Sequence, residues 1–232
     1  MKFFLFFLLI LNPIYGQDQV NKATYSFQMI LENVSEKRKI IGEKLNQFAE
    51  YNELNVYFDT NYSFYLLSGK PNNEDNYQEY FEMAPIILDA YNPIFYNKKS
   101  NYYLYEDALL NDKIILDDNV YKWVFEEETK LIDGYLCYKA IGKAKDYFTS
   151  ESDKFFTAEV WYCPELPYPF GPNMYQGLPG LVVLAIQNNE IAYKLEKIEF
   201  NLPEKLPINI LEAETINVAD YHKFRKELFG EE

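Results

Sequence analysis

Few residue types in this 232-residue chain can carry chemistry by themselves. There are two cysteines, Cys137 and Cys163, and one histidine, His222. Two thiols and one imidazole cannot make an ordinary zinc site without carboxylates, and no motif identifies any. As a pair, the thiols fit either a structural disulfide or a redox-active or copper-binding site. The lack of a Cys-x-x-Cys spacing favours the disulfide. His222 is the only base for a Ser-His-Asp arrangement, but no Gly-x-Ser-x-Gly elbow presents a serine to it. A hydrolase needs only two carboxylates about 5–10 Å apart, and no local pattern marks or excludes such a pair. The run Glu126-Glu127-Glu128 alternates between strand faces and reads as a solvated strand end rather than a cation site. Neither a phosphate loop nor a dinucleotide fingerprint is present. No catalytic, cofactor-binding or metal-binding residue is therefore assigned, and no cofactor is expected.

The elements that must position the cysteines are two strands. Residues Tyr135–Gly142 and Phe156–Cys163 alternate as strands do, and the polar stretch Lys145–Asp153 between them is loop-like. An antiparallel register that sets Cys137 opposite Cys163 also pairs Lys139 with Trp161, Ile141 with Glu159 and Lys143 with Thr157. Lys139 and Glu159 become diagonal neighbours on a mixed face. The other face gathers Leu136, Tyr138 and Ala140 against Phe156, Ala158, Val160 and Tyr162, an apolar surface for a core. A disulfide there would contribute about 3 kcal/mol by restricting the unfolded chain.

The remaining chain predicts a mainly β, single-domain, curved antiparallel sheet, a meander or half-barrel, with one or two peripheral helices. Ala23–Ile30, Leu54–Phe58 and Tyr62–Leu67 read as strands, and Gly69–Tyr80 as a polar loop. Ile94–Asn97 and Tyr102–Glu106 form a hairpin around Lys98–Asn101. Lys113–Leu116 and Tyr121–Glu127 continue the meander through Asp117–Asn119. Ser35 caps an amphipathic helix reaching Glu50, and a short surface helix, Val218–Phe229, carries His222.

Met1-Lys2, the apolar run Phe3–Leu11 and Asn12-Pro13-Ile14-Tyr15-Gly16 have the layout of a secretory signal peptide. The run is far shorter than the ~20 residues of a membrane span. The expectation is a signal peptide over 1–16, one β domain over 17–232, no transmembrane segment after cleavage, and a secreted or periplasmic product. No cysteine adjoins the cleavage site to take a lipid. The formal charge of −14 becomes about −15 once Lys2 is removed, which opposes nucleic-acid binding and docking on anionic lipid. Aromatics make up 18% of the chain, with 22 tyrosines, and suit half-exposed pleated surfaces or an aromatic-lined groove.

The stretch Gln176-Gly177-Leu178-Pro179-Gly180-Leu181-Val182 stands out, preceded by Val160-Trp161-Tyr162, Leu166-Pro167 and Phe170–Tyr175. With Thr129-Lys130 and Gly134-Tyr135-Leu136-Cys137-Tyr138-Lys139-Ala140 upstream, it resembles the GLPGLI family of exported Bacteroidota proteins. The last motif residue, usually Ile, is Val182 here. The resemblance runs from about Trp123 to Phe200. It implies export and an antiparallel β domain, no established biochemical activity, and association with outer-membrane transport systems. Physically, Pro179 with a Gly180 free to take φ > 0 suits a turn before a strand. Gly177 permits close backbone approach, and Leu181–Ile186 reads as a strand buried on both faces.

The functional expectation is a non-enzymatic binding or envelope accessory protein. Its concave aromatic face, or a proline-stiffened loop carrying Tyr162, Tyr168, Phe170 and Tyr175, would engage a small apolar ligand, a peptide or an envelope protein. The alternatives are a secreted carboxylate-dependent hydrolase, and an assembly factor recognising an outer-membrane partner through a sheet edge.

Overall fold

The computed structural model describes residues 19–32, 34–69, 93–110, 113–118, 120–145 and 155–229. The expected signal peptide over 1–16, nearly all of the Gly69–Tyr80 loop and the Lys145–Asp153 connection beyond Lys145 lie outside them. The first half supplies β1 (Val20–Met29), α1 (Glu36–Ala49), β2 (Asn52–Phe58), β3 (Tyr62–Gly69), β4 (Ile94–Asn97), β5 (Tyr102–Glu106) and β6 (Ile114–Asp117). The second supplies β7 (Lys122–Ile132), β8 (Tyr135–Lys145), β9 (Phe155–Cys163), β10 (Leu181–Gln187), β11 (Ile191–Leu202), β12 (Thr215–Asn217) and α2 (Val218–Phe229).

Among the described residues all the strands join one 12-stranded sheet, ordered β12-β6-β5-β4-β3-β2-β1-β11-β10-β9-β8-β7, and every ladder there is antiparallel except β12 on β6. Turn chemistry sets the hairpins. Asp133 and Gly134 both take positive φ in the two-residue turn between β7 and β8, the geometry that matches strand twist; Asn188 and Asn189 do so in the three-residue turn Asn188–Glu190 between β10 and β11. Ser35 caps α1 by accepting from the Arg38 amide. The Asn46 side chain of α1 donates to the carbonyl and accepts from the amide of Met29, tying the helix to β1.

One expectation fails in an informative way. β6 and β7 are not successive strands of a meander; they lie ten positions apart, near opposite ends of the sheet. At about 4.8 Å per strand a flat sheet would separate them by roughly 48 Å. The connection from Asp117 to Lys122 spans at most about 19 Å even when fully extended, and the Val120 amide turns back onto the Asp118 carbonyl, 2.9 Å away. The sheet must therefore curl until its ends approach, although no ladder among the described residues joins β7 to β6 or β12.

The chain between β9 and β10 occupies the inside of that curl. Tyr103 Oη of β5 donates to the Met174 carbonyl at 2.7 Å, and Trp123 Nε1 of β7 donates to the Gln176 carbonyl at 2.8 Å. Strands from opposite flanks of the sheet thus grip carbonyls two residues apart. Tyr25 Oη, from the middle of the sheet, donates to Val182 O at 2.7 Å. The main core continues from β1, β2, β10 and β11 into Phe170, Tyr175 and Leu178 of this segment.

Candidate functional site

The β8–β9 register is the expected one: Lys139 faces Trp161, Ile141 faces Glu159 and Lys143 faces Thr157. Continued one step past Tyr138–Tyr162, it sets Cys137 opposite Cys163. The disulfide itself is not formed. Both residues are free, fully buried thiols. Burial, and then the neighbouring Cys163, push the Cys137 thiol up to about 12. Opposed positions set the strand spacing but not the side-chain torsions that an S–S bond needs.

On the same side of the sheet as the thiols, Lys139 collects carboxylates. Its Nζ lies 3.5 Å from Glu126, 3.1 Å from Glu128 and 3.2 Å from Glu159. Glu159 also accepts from Trp161 Nε1 at 3.0 Å. The hydrogen bonds it donates to Glu128 and Glu159 hold the Lys139 ammonium well above its ordinary pKa. The acidic run is solvated, as expected, but lies within β7 rather than at its end. Phe125 pairs with Ala140 and Thr129 with Tyr138, so Glu126, Glu127 and Glu128 together oppose Lys139 in a bulge. The acids that converge here have a lysine as their built-in cation. No group of three or more His, Cys, Asp or Glu suited to a metal occurs among the described residues.

His222 is buried, not on a surface face. Val218 and Tyr221 seat α2 on Ile115 of β6, the His222 ring lies 5.4 Å from that of Tyr221, and Tyr221 donates to Asp107 at 2.6 Å.

The proline-rich segment, Pro164–Gly180, presents little to solvent. Phe170 and Tyr175 are fully buried, Tyr162 is buried, and Tyr168 is half-buried against Phe58 at 4.9 Å. Phe170 and Tyr175 therefore act as core in this conformation, because the curl of the sheet needs filling. Within the segment, the Gln176 side chain bonds both the amide and the carbonyl of Gly171. The Gln187 Oε1 accepts from Asn173 Nδ2, Tyr175 Oη and Tyr193 Oη at 3.0–3.1 Å, all buried. No sequence pattern marked Gln187, since its donors come from β11 and the loop.

The motif glycines exchange the roles expected of them. Gly177, not Gly180, takes positive φ, at 81°, and has open space where a Cβ would lie. Gly180 has no such room: a Cβ there would collide with the carbonyl of Cys163. Leu178 and Gly180–Val182 are buried while Pro179 is exposed, so the motif wedges the start of β10 against the end of β9.

What remains open is the inward-facing side of β7 and β8 beyond the loop. Register and alternation put Phe125, Glu127, Thr129 and Leu131 of β7 on that side, with Leu136 and Tyr138 of β8. Phe125 is 55% exposed, Leu131 70% and Leu136 41%. Tyr162 of β9 backs them, its ring 6.0 Å from Phe125 and 6.1 Å from Tyr138. Leu136, expected in the core, is thus on an exposed apolar patch. Beside it β7 is an edge strand, exposed from Val124 to Leu131.

Residues 142–184, from β8 through the motif into β10, match the profile of a family described as "Protein of unknown function (Porph_ging)". No curated protein matches the chain. Two structures of PNGF-II, in P21 and C2 space groups, superpose with TM-scores of 0.53 and 0.52 at 15% identity. They cover 89% and 88% of this chain but 33% and 32% of theirs, so the chain spans about a third of PNGF-II. At that identity the likeness is one of fold. The chain is thus similar over residues 142–184 to a family of unknown function, and similar in its β-rich fold to part of PNGF-II.

Proposed function

We propose that this protein is an exported, non-enzymatic accessory protein of the GLPGLI type that works by binding a partner across the inward side of β7 and β8. One observation carries the reading: Phe125, Leu131 and Leu136 leave a contiguous apolar surface in water, backed by Tyr138 and Tyr162. Soluble chains rarely keep such patches without a use. The curl of the sheet is filled by Phe170, Tyr175 and Leu178, which moves the binding surface from an interior bowl to this flank. The leader Met1–Gly16 and the acidic composition support action in the periplasm or outside the cell. There an oxidising disulfide would accept two electrons and two protons from Cys137 and Cys163, becoming two thiols itself and leaving a cross-strand disulfide here.

The test is native mass spectrometry of the protein drawn from its own cell envelope, wild type beside a Phe125→Ser/Leu131→Ser variant. The reading expects a retained partner in the wild type and a bare chain in the variant. A bare wild-type chain, or a partner held equally by both, sinks it. Intact mass before and after reduction tests the disulfide, which adds about 2 Da on opening.

A further inference from the structure

The patch holds one feature that selects among occupants. Along β7 the inward-facing row reads Trp123, Phe125, Glu127, Thr129, Leu131, while Glu126 and Glu128 face the other side and reach Lys139. Glu127 is exposed and makes no ion pair among the described residues. A single carboxylate thus stands between two exposed apolar side chains, at the rim of an aromatic cluster. A second carboxylate source lies behind it, because three glutamates share the one ammonium of Lys139.

We infer that the patch takes an extended apolar segment of a different protein that carries a lysine or arginine opposite Glu127; this rests on the binding reading above. A cation there meets an unpaired carboxylate at the edge of an apolar surface, where partial desolvation strengthens the attraction. A second copy of this chain fits poorly. A two-fold pairing of β7 with itself about Glu127 would set the Glu126–Glu128 run against its own image, between chains that each carry a net −14. The same bulge interrupts the edge ladder between Phe125 and Thr129, so side-chain contacts with the face, rather than a continuous added strand, hold the segment.

The experiment is selection of a displayed random peptide library, about twelve residues long, on the full-length protein. Wild type, Glu127→Lys and Phe125→Ser/Leu131→Ser are compared, each checked for native circular dichroism. Wild type is expected to enrich aromatic and aliphatic sequences with Lys or Arg at a fixed position, bound at least tenfold more tightly than their Glu counterparts. Glu127→Lys should enrich Asp or Glu at that position. Apolar sequences without a basic residue, lost only in Phe125→Ser/Leu131→Ser, would overturn the charge requirement and keep the patch. Equal enrichment by wild type and Phe125→Ser/Leu131→Ser would overturn both. A concentration-dependent dimer abolished by Phe125→Ser/Leu131→Ser would replace the foreign partner with a second copy.

Discussion

The backbone of Gly180 lies directly against the carbonyl of Cys163, so close that a Cβ at position 180 would collide with it and come 2.5 Å from the carbonyl carbon. Leu181 pairs with Cys163 in the ladder that follows, and the Leu166 amide donates to the same Cys163 carbonyl at 3.1 Å. The end of β9 and the start of β10 are therefore fixed by contact at this point, and the motif's second glycine is a matter of space rather than of φ.

Gly180→Ala should cost about 3 kcal/mol, the upper range for forcing a methyl group into packed backbone. Gly177→Ala should cost only about 1 kcal/mol, from left-handed strain without a clash, and Gly177→Asn less. Urea unfolding of the three variants checks the order. Equal losses for Gly177→Ala and Gly180→Ala would contradict the assignment.

Gln187→Leu should cost about 3 kcal/mol, because three buried donors lose one shared acceptor. Tyr193→Phe removes one of those donors and leaves the acceptor supplied, so about 1 kcal/mol is expected. Paired chemical denaturation of both variants measures the difference.

Lys139→Met removes the cation from Glu126, Glu128 and Glu159. Those carboxylates then repel one another with no counter-charge between them, and mobile ions screen that repulsion. The melting temperature of Lys139→Met relative to wild type should therefore improve as salt rises from about 0.05 M to about 1 M. A constant gap across that range would show that the cluster is electrostatically inert.

Alkaline pH should loosen the fold. Cys137 would ionise near 9.0 in the unfolded chain but holds its proton to about 12 when folded. A group raised in this way adds stability that is complete below its unfolded pKa and lost as pH climbs through the folded one. Tyr25, Tyr103 and Tyr105, each raised first by burial, act in the same direction above 10.0. Urea midpoints should fall steadily from pH 9 to 12 in reducing buffer, and Cys137 should resist alkylation until the chain unfolds. Rapid alkylation of native protein at pH 9 would refute the burial argument.

Local pattern made much of this fold legible. The alternation in Tyr135–Gly142 and Phe156–Cys163 carries enough polar and apolar contrast to fix the β8–β9 register, and Ser35 with its apolar spacing marks α1. Long-range neighbours left no local mark. Asp117–Asn119 looks like any hairpin turn, because residues cannot report that the strands on either side sit at opposite flanks of a curled sheet. Phe170 and Tyr175 read as a binding loop because prolines and aromatics serve recognition and core filling alike. The patch was legible only at Tyr162: Leu136 reads as core, and Phe125 and Leu131 depend on the bulge at Glu126–Glu128, which no periodicity announces.

The ladder between β1 and β11 has a consequence for biosynthesis. It sets Val20 against Leu202, and β1 lies in the middle of the sheet, between β2 and β11. A chain growing from its N-terminus therefore carries its central strand half-paired until roughly 180 further residues have emerged. Fragments ending before β11 leave Ala23, Tyr25 and Phe27 without one neighbour of their core. Completion of the fold is thus tied to near-completion of the polypeptide. Fragments that end before β11 should therefore be cut by proteases faster than the full chain.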